Sequence, residues 1–107
     1  MENQMPKLSV AELTSLIKTT LEGSFYGLTV EGEISGFRPA STGHWYFSLK
    51  DKDAVLSAIC WRGRSSSTTQ AIQEGLEVVF TGKLSTYPGR SNYQIIVETA
   101  EPAGVGA

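Results

Sequence analysis

The chain has 107 residues, 40% of them apolar and 19% charged, with a net charge of −2, which suits one globular domain and excludes both disorder and a pair of ordinary domains. No apolar run approaches the roughly 18 residues of a membrane span, and the polar start at Met1-Glu2-Asn3-Gln4-Met5-Pro6 carries no secretory apolar region. A lone cysteine, Cys60, builds neither an internal disulfide nor a zinc site, so no membrane partner, no metal and a cytoplasmic location are expected.

Ser9 to Leu21 places Val10, Leu13, Leu16, Ile17 and Leu21 at helical spacing, which predicts an amphipathic helix. Ser9 and Glu12 match the S-x-x-E capping box, and Gly23 is the expected stop. Three turns are not stable alone, so residues 1–26 are expected to pack on the rest of the domain. The period then changes to two. Five strands are predicted, over Thr29–Phe37, His44–Lys50, Ala54–Trp61, Glu77–Ser85 and Asn92–Thr99. Val30, Ile34, Trp45, Phe47, Leu49, Leu56, Ala58, Cys60, Val78, Phe80, Leu84, Tyr93, Ile95 and Val97 fall on one side of their strands by alternation, the side expected to face inward. Asp51-Lys52-Asp53 reads as a tight hairpin, and Arg64 to Gly75 carries a weak helical signal at Gln70–Glu74. Tyr87-Pro88-Gly89-Arg90-Ser91 reads as a loop, and residues 101–107 as an exit linker towards a further, catalytic domain. Five strands with a long connection between the third and fourth predict a mainly β, closed Greek-key barrel over residues 27–100. Closure removes the two edges an open sheet would expose, and Gly32, Gly36 and Gly82 are candidate bends or bulges.

Enzymatic chemistry finds little support. His44 is the only histidine, and alternation puts Cys60 on the inner face, where a thiol is structural. Glu31 with Glu33, and Asp51 with Asp53, are carboxylate pairs, but they read as a solvated strand face and a turn. Neither a Walker loop nor a dinucleotide-binding glycine fingerprint occurs, so no cofactor is expected. A hydrolase built on His44 and these carboxylates is the weakest of three readings.

Charge distribution points elsewhere. Residues 1–37 hold two lysines against five glutamates, net −3; residues 38–90 hold seven cations against four carboxylates, net +3; residues 91–107 add two glutamates, net −2. The basic middle interleaves cations with rings at Phe37-Arg38, His44-Trp45-Tyr46, Trp61-Arg62-Gly63-Arg64 and Tyr87-Pro88-Gly89-Arg90. Unpaired nucleic acid needs that combination, since bases stack on rings for about 1–3 kcal/mol each while cations meet the phosphates. In a barrel of this kind the ligand face is strands two and three with the one–two and four–five loops. Arg38, His44, Tyr46, Lys50, Trp61, Arg62, Arg64, Tyr87 and Arg90 are the candidate contacts. The rival reading is protein docking or homo-oligomer formation through an outer apolar stripe of Val55, Ile59 and Trp61.

The blocks Leu8-Ser9-Val10-Ala11-Glu12-Leu13, Val30-Glu31-Gly32-Glu33-Ile34-Ser35 and Gly43-His44-Trp45-Tyr46-Phe47-Ser48-Leu49-Lys50-Asp51 resemble the start of the exodeoxyribonuclease VII large subunit family. Gly82-Lys83-Leu84-Ser85-Thr86-Tyr87, Tyr93-Gln94-Ile95-Ile96-Val97-Glu98 and Glu101-Pro102-Ala103-Gly104 continue the resemblance in order. It implies an OB-fold that grips single-stranded DNA, with the nuclease centre in a following domain and copies of a small subunit as partner. The fragment itself is then expected to bind and not to cut. Ser57 stands where that family usually carries a basic residue, and Ser65-Ser66-Ser67-Thr68-Thr69 where it tends to be arginine-rich. Both departures lower the positive charge of the expected DNA side.

Overall fold

The computed structural model describes residues 5–64, 66–87, 90 and 92–104. Residues 1–4, Ser65, the loop positions Pro88, Gly89 and Ser91, and 105–107 of the expected exit linker lie outside the described residues.

Helix α1 spans Val10–Ser24. Its capping box forms: the Glu12 N–H donates to Ser9 Oγ at 3.0 Å, and the Ser9 N–H donates to Glu12 Oε1 at 2.7 Å. The helix does not stop at Gly23. It runs one residue further, and the Phe25 N–H caps it by donating to the Leu21 carbonyl at 2.9 Å. The Phe25 carbonyl in turn accepts from the Leu84 N–H at 2.9 Å, so the end of the helix is set by where the chain meets the barrel. No residue of α1 is buried, and Val10 is 80% exposed. The helix meets the barrel mainly along β4, chiefly through its last turns.

Strands β1 (Leu28–Pro39), β2 (Trp45–Lys50), β3 (Val55–Cys60), β4 (Glu77–Thr86) and β5 (Tyr93–Pro102) close a barrel in the order β1-β2-β3-β5-β4. All pairings are antiparallel except β3 with β5. β1 belongs to both halves of the wall: Leu28–Glu33 pairs with β4, and Glu33 onward pairs with β2. The strand bends at a bulge between Ser35 and Arg38, where Gly36 takes φ +65°, a conformation that a side chain would strain. The Gly36 and Phe37 N–H groups freed by the bulge donate to the Glu74 carboxylate at 3.1 and 2.9 Å. A second register shift falls at Thr81/Gly82, where a Cβ on Gly82 would lie 2.2 Å from the Ile96 carbonyl oxygen.

The core is the one alternation predicts except at Tyr93, which opens β5 and is exposed. Phe47 and Phe80 meet at 5.9 Å between ring centroids, surrounded by Ile34, Val78, Ile95 and Val97, all fully buried. Asp51 closes the β2–β3 hairpin by accepting from the Asp53 and Ala54 N–H groups at 2.8 and 2.9 Å. The helical connection differs from expectation. α2 covers Ser66–Ala71, ahead of the weak signal at Gln70–Glu74, because burial of Thr68, Ala71 and Ile72 outweighs poor intrinsic propensity. At the far end, Glu101 and Pro102 extend β5 opposite Val79 and Val78, so the sheet takes two residues expected in the exit linker.

Candidate nucleic-acid interface

Register places outward side chains of neighbouring strands side by side. Arg38 of β1 lies opposite Tyr46 of β2, Tyr46 opposite Ile59 of β3, Ile59 opposite Ile96 of β5, and Ile96 opposite Lys83 of β4. This row crosses the wall with a cation at each end and a ring and two aliphatic groups between them. The adjacent row is small and polar: Ser35, Ser48, Ser57, Gln94 and Ser85. Cross-strand neighbours have Cβ atoms about 4.5–5.5 Å apart, so each row is a continuous strip.

The β1–β2 loop and the exit from β3 lock together beside these rows. The Arg62 N–H donates to His44 Nδ1 at 3.1 Å, and the aliphatic stem of Arg62 packs over Gly43. The His44 and Trp61 rings stand 6.3 Å apart at 43°. Trp61 remains 43% exposed, which leaves ring surface for a ligand. The Arg38 guanidinium donates back to the Gly36 carbonyl at 3.0 Å, which holds the cation over the bulge.

Five of the nine candidates therefore form one patch: Arg38, Tyr46, His44, Trp61 and Arg62. The other four do not join it so directly. Lys50 sits at the opposite end of β2, between Glu33 and Val55, at the rim of an apolar pocket that includes Leu28, Leu49 and Leu84. Arg64 is half-buried and acts on Cys60, whose thiol is pushed up by burial against the lowering pull of that guanidinium. Tyr87 is half-buried in the β4–β5 connection, and Arg90 borders a small pocket together with Thr14 and Ile17 of α1.

The apolar outer stripe needs correction. Ile59 does face outward from the wall, but it is only 6% exposed, flanked by Tyr46 and Ile96 on the neighbouring strands. Exposed Val55 and half-exposed Trp61 are thus separated by a covered residue and form no continuous docking strip. Among the described residues no group of three or more His, Cys, Asp or Glu side chains is arranged to hold a metal. No helix among them is long and apolar enough to cross a membrane.

Sequence reasoning does not single out Lys83, Tyr26 and Gln94, which share a groove with Trp61 and Ile96 between β4–β5 and the end of α1. Alternation along β4 does point Lys83 outward. Its nearness to Trp61 comes only from barrel closure and the parallel β3–β5 pairing.

A family model described as an OB-fold nucleic acid binding domain matches residues 8–101. Exodeoxyribonuclease 7 large subunits of Brucella canis and Brucella suis are 50% identical over 106 residues, covering 98% of this chain and 21% of each relative, so the chain spans about a fifth of their length. Among solved structures, the Replication Protein A heterotrimer bound to ssDNA aligns with a TM-score of 0.58 at 17% identity, over 73% of this chain and 57% of that one. The Stn1-ten1 complex of S. pombe aligns at 0.61 and 19% identity, over 74% and 59%. The asparaginyl-tRNA synthetase of Pyrococcus horikoshii aligns at 0.62 and 12%, over 94% and 23%. At these identities the structural likenesses show the fold alone. By the family match, the chain belongs to the OB-fold nucleic acid binding domains, as a homologue of part of the exodeoxyribonuclease VII large subunit.

Proposed function

We propose that this domain binds single-stranded DNA across its outer wall, as the DNA-gripping part of an exodeoxyribonuclease VII large subunit acting in the cytoplasm. Cutting and the small-subunit partner belong, in this reading, to parts of the enzyme outside the matched fifth. The observation that carries it is the row Arg38–Tyr46–Ile59–Ile96–Lys83 with Trp61 and Arg62 beside it. It sets cations around a ring and an aliphatic floor, in the manner of single-strand binding surfaces. One structural neighbour, the Replication Protein A heterotrimer bound to ssDNA, supports the same reading.

Three cations, Arg38, Arg62 and Lys83, border the patch, so affinity is expected to fall with salt at a log–log slope of about −2, at roughly 0.7 per phosphate. Fluorescence anisotropy with a short labelled oligonucleotide reads this out. Arg38→Ala is expected to lower affinity for every sequence and to flatten the slope to about −1.4. Trp61→Ala is expected to cost about 1–3 kcal/mol with the slope unchanged. No binding at low salt, or equally tight binding of duplex, refutes the proposal.

A second reading, association of two copies, rests on α1 rather than on the strand face. Leu8, just ahead of the helix, and Val10, Leu13, Leu16 and Ile17 on it are all exposed. Light scattering that gives a dimer for the wild type and a monomer for Leu13→Glu would support it, and a monomer for both at high concentration would end it.

A further inference from the structure

A groove of about 460 Å³ between the end of α1 and the β4–β5 wall continues the outer surface of the barrel. Ile96 and Lys83, the last two members of the cross-barrel row, line it, and so does Trp61, which also meets His44. Its far bank is α1: Lys18 and Glu22 from the last turns, then Tyr26 from the bend that leads into β1. Tyr26 is 75% exposed, and hydrogen bonds on its neighbour set its position. The Phe25 N–H donates to the Leu21 carbonyl at 2.9 Å, and the Phe25 carbonyl accepts from the Leu84 N–H at 2.9 Å. A large ring held in water on a fixed backbone loses little freedom when a flat ligand settles on it. Charge on this bank is nearly balanced. Lys18 and Glu22 pair at 2.5 Å, and Ser85 donates a further hydrogen bond to the same carboxylate. Lys83 then supplies the net positive charge of the groove.

We propose that α1 is the second bank of the single-stranded DNA groove: a strand crossing the wall passes Trp61, enters this groove, stacks one further base on Tyr26 and sets a phosphate against Lys83. Continuity argues for this occupant, because the groove and the wall share Trp61, Ile96 and Lys83. The space suits a base, since small-molecule sites begin near about 300 Å³. The proposal rests on the single-stranded DNA reading and lengthens its footprint, giving the helix a contact that the face of β2 and β3 does not supply.

The test is fluorescence anisotropy with oligothymidylates of about 4 to 16 nucleotides, the range of site sizes for one such barrel. Wild-type affinity is expected to rise beyond the shortest strand that binds. Tyr26→Ala is expected to match the wild type on that shortest strand and to bind longer ones at least about fivefold more weakly, the lower value for one stacked base. Trp61→Ala weakens every length. Tyr26→Phe keeps wild-type affinity, because the ring and not the hydroxyl makes the contact. The melting temperature of Tyr26→Ala should equal that of the wild type, since the ring is exposed. An abasic site walked along the shortest strand that reveals the Tyr26→Ala loss locates the base: at one position it should weaken the wild type about fivefold and Tyr26→Ala no further. A Tyr26→Ala loss that is the same at every length, no loss at any length, or losses that add at every abasic position overturn the α1 bank and leave the wall intact. Failure of the wild type to bind any strand overturns the single-stranded DNA reading and the bank with it.

Discussion

Gly82→Ala is expected to be the most damaging single-methyl change in the barrel. The added Cβ would stand 2.2 Å from the Ile96 carbonyl oxygen and 3.3 Å from Ile95 Cγ1. Ordinary contact begins near 3.4 Å, so β4 and β5 must part by about 1.2 Å, and the obstructing atom is backbone with no rotamer to escape into. A ladder bond of about 2.9 Å stretched that far is no longer a hydrogen bond. Two such bonds lost at about 1 kcal/mol each, with an overpacking cost of about 1–3 kcal/mol, give about 3–5 kcal/mol. That is a large share of the roughly 5–15 kcal/mol that holds a native domain together. At about 4–8 °C per kcal/mol, even the lower figure brings the melting temperature down by about 12 °C or more. DNA affinity should fall as well, because Lys83 and Ile96 flank the same register shift. Circular dichroism melts check the first result and anisotropy the second. A variant that melts within about 3 °C of the wild type refutes the close approach of β4 to β5 at the Thr81/Gly82 register shift.

Three further outcomes rest on the same geometry. Gly23 has no atom within 4 Å of its would-be Cβ and sits inside α1, so Gly23→Ala is expected to stabilise by about 0.5–1 kcal/mol in a thermal melt. Glu22 has its pKa lowered from 4.5, so its contribution is present above that value and disappears as pH falls through the lower folded pKa. Melts of Glu22→Gln between neutral and acid pH should show a shallower acid decline than the wild type. Cys60 has its thiol pKa raised from 9.0 by burial, so its contribution is complete below pH 9.0 and lost as pH rises through the folded value. Alkylation of native protein at pH 8 should be slow, becoming fast only on unfolding.

How far the fold is legible in the chain depends on how local each cause is. The Ser9–Glu12 capping box and the period-two runs are short-range patterns, and the barrel and its core agree with them closely. Gly23 is a plausible local stop for the helix, but the actual stop depends on Leu84, about 60 residues away, hydrogen-bonding the Phe25 carbonyl. α2 is displaced from its expected place for a similar reason. Ser66–Ala71 reads as a poor helix and forms where Thr68, Ala71 and Ile72 can be buried. For the interface, alternation assigns sides of the wall correctly but says nothing about cover, so Ile59 faces out and is still buried. Gln94 carries no local signal, because a glutamine beside apolar neighbours reads as solvated. Only the parallel β3–β5 pairing brings it next to Ser57 and into the groove that Trp61 lines.

The same distinction between local and distant causes bears on α1. Fifteen residues is close to the length at which an isolated helix is marginal, and this one has no buried residue. Its first turns rest on the capping box, whereas its end is tied to β4 through Glu22 to Ser85 and Phe25 to Leu84. Amide hydrogen exchange should therefore be graded along the helix. Residues 10–16 should open at a cost of about 0–1 kcal/mol, the last turn should be intermediate, and β4 and β5 should approach the global stability. Uniform protection of α1 at the level of β4 contradicts this, and its concentration dependence identifies the reason. Protection lost on dilution means that a second copy covers Leu13 and Leu16, while protection that persists means the helix is held by contacts the barrel does not show.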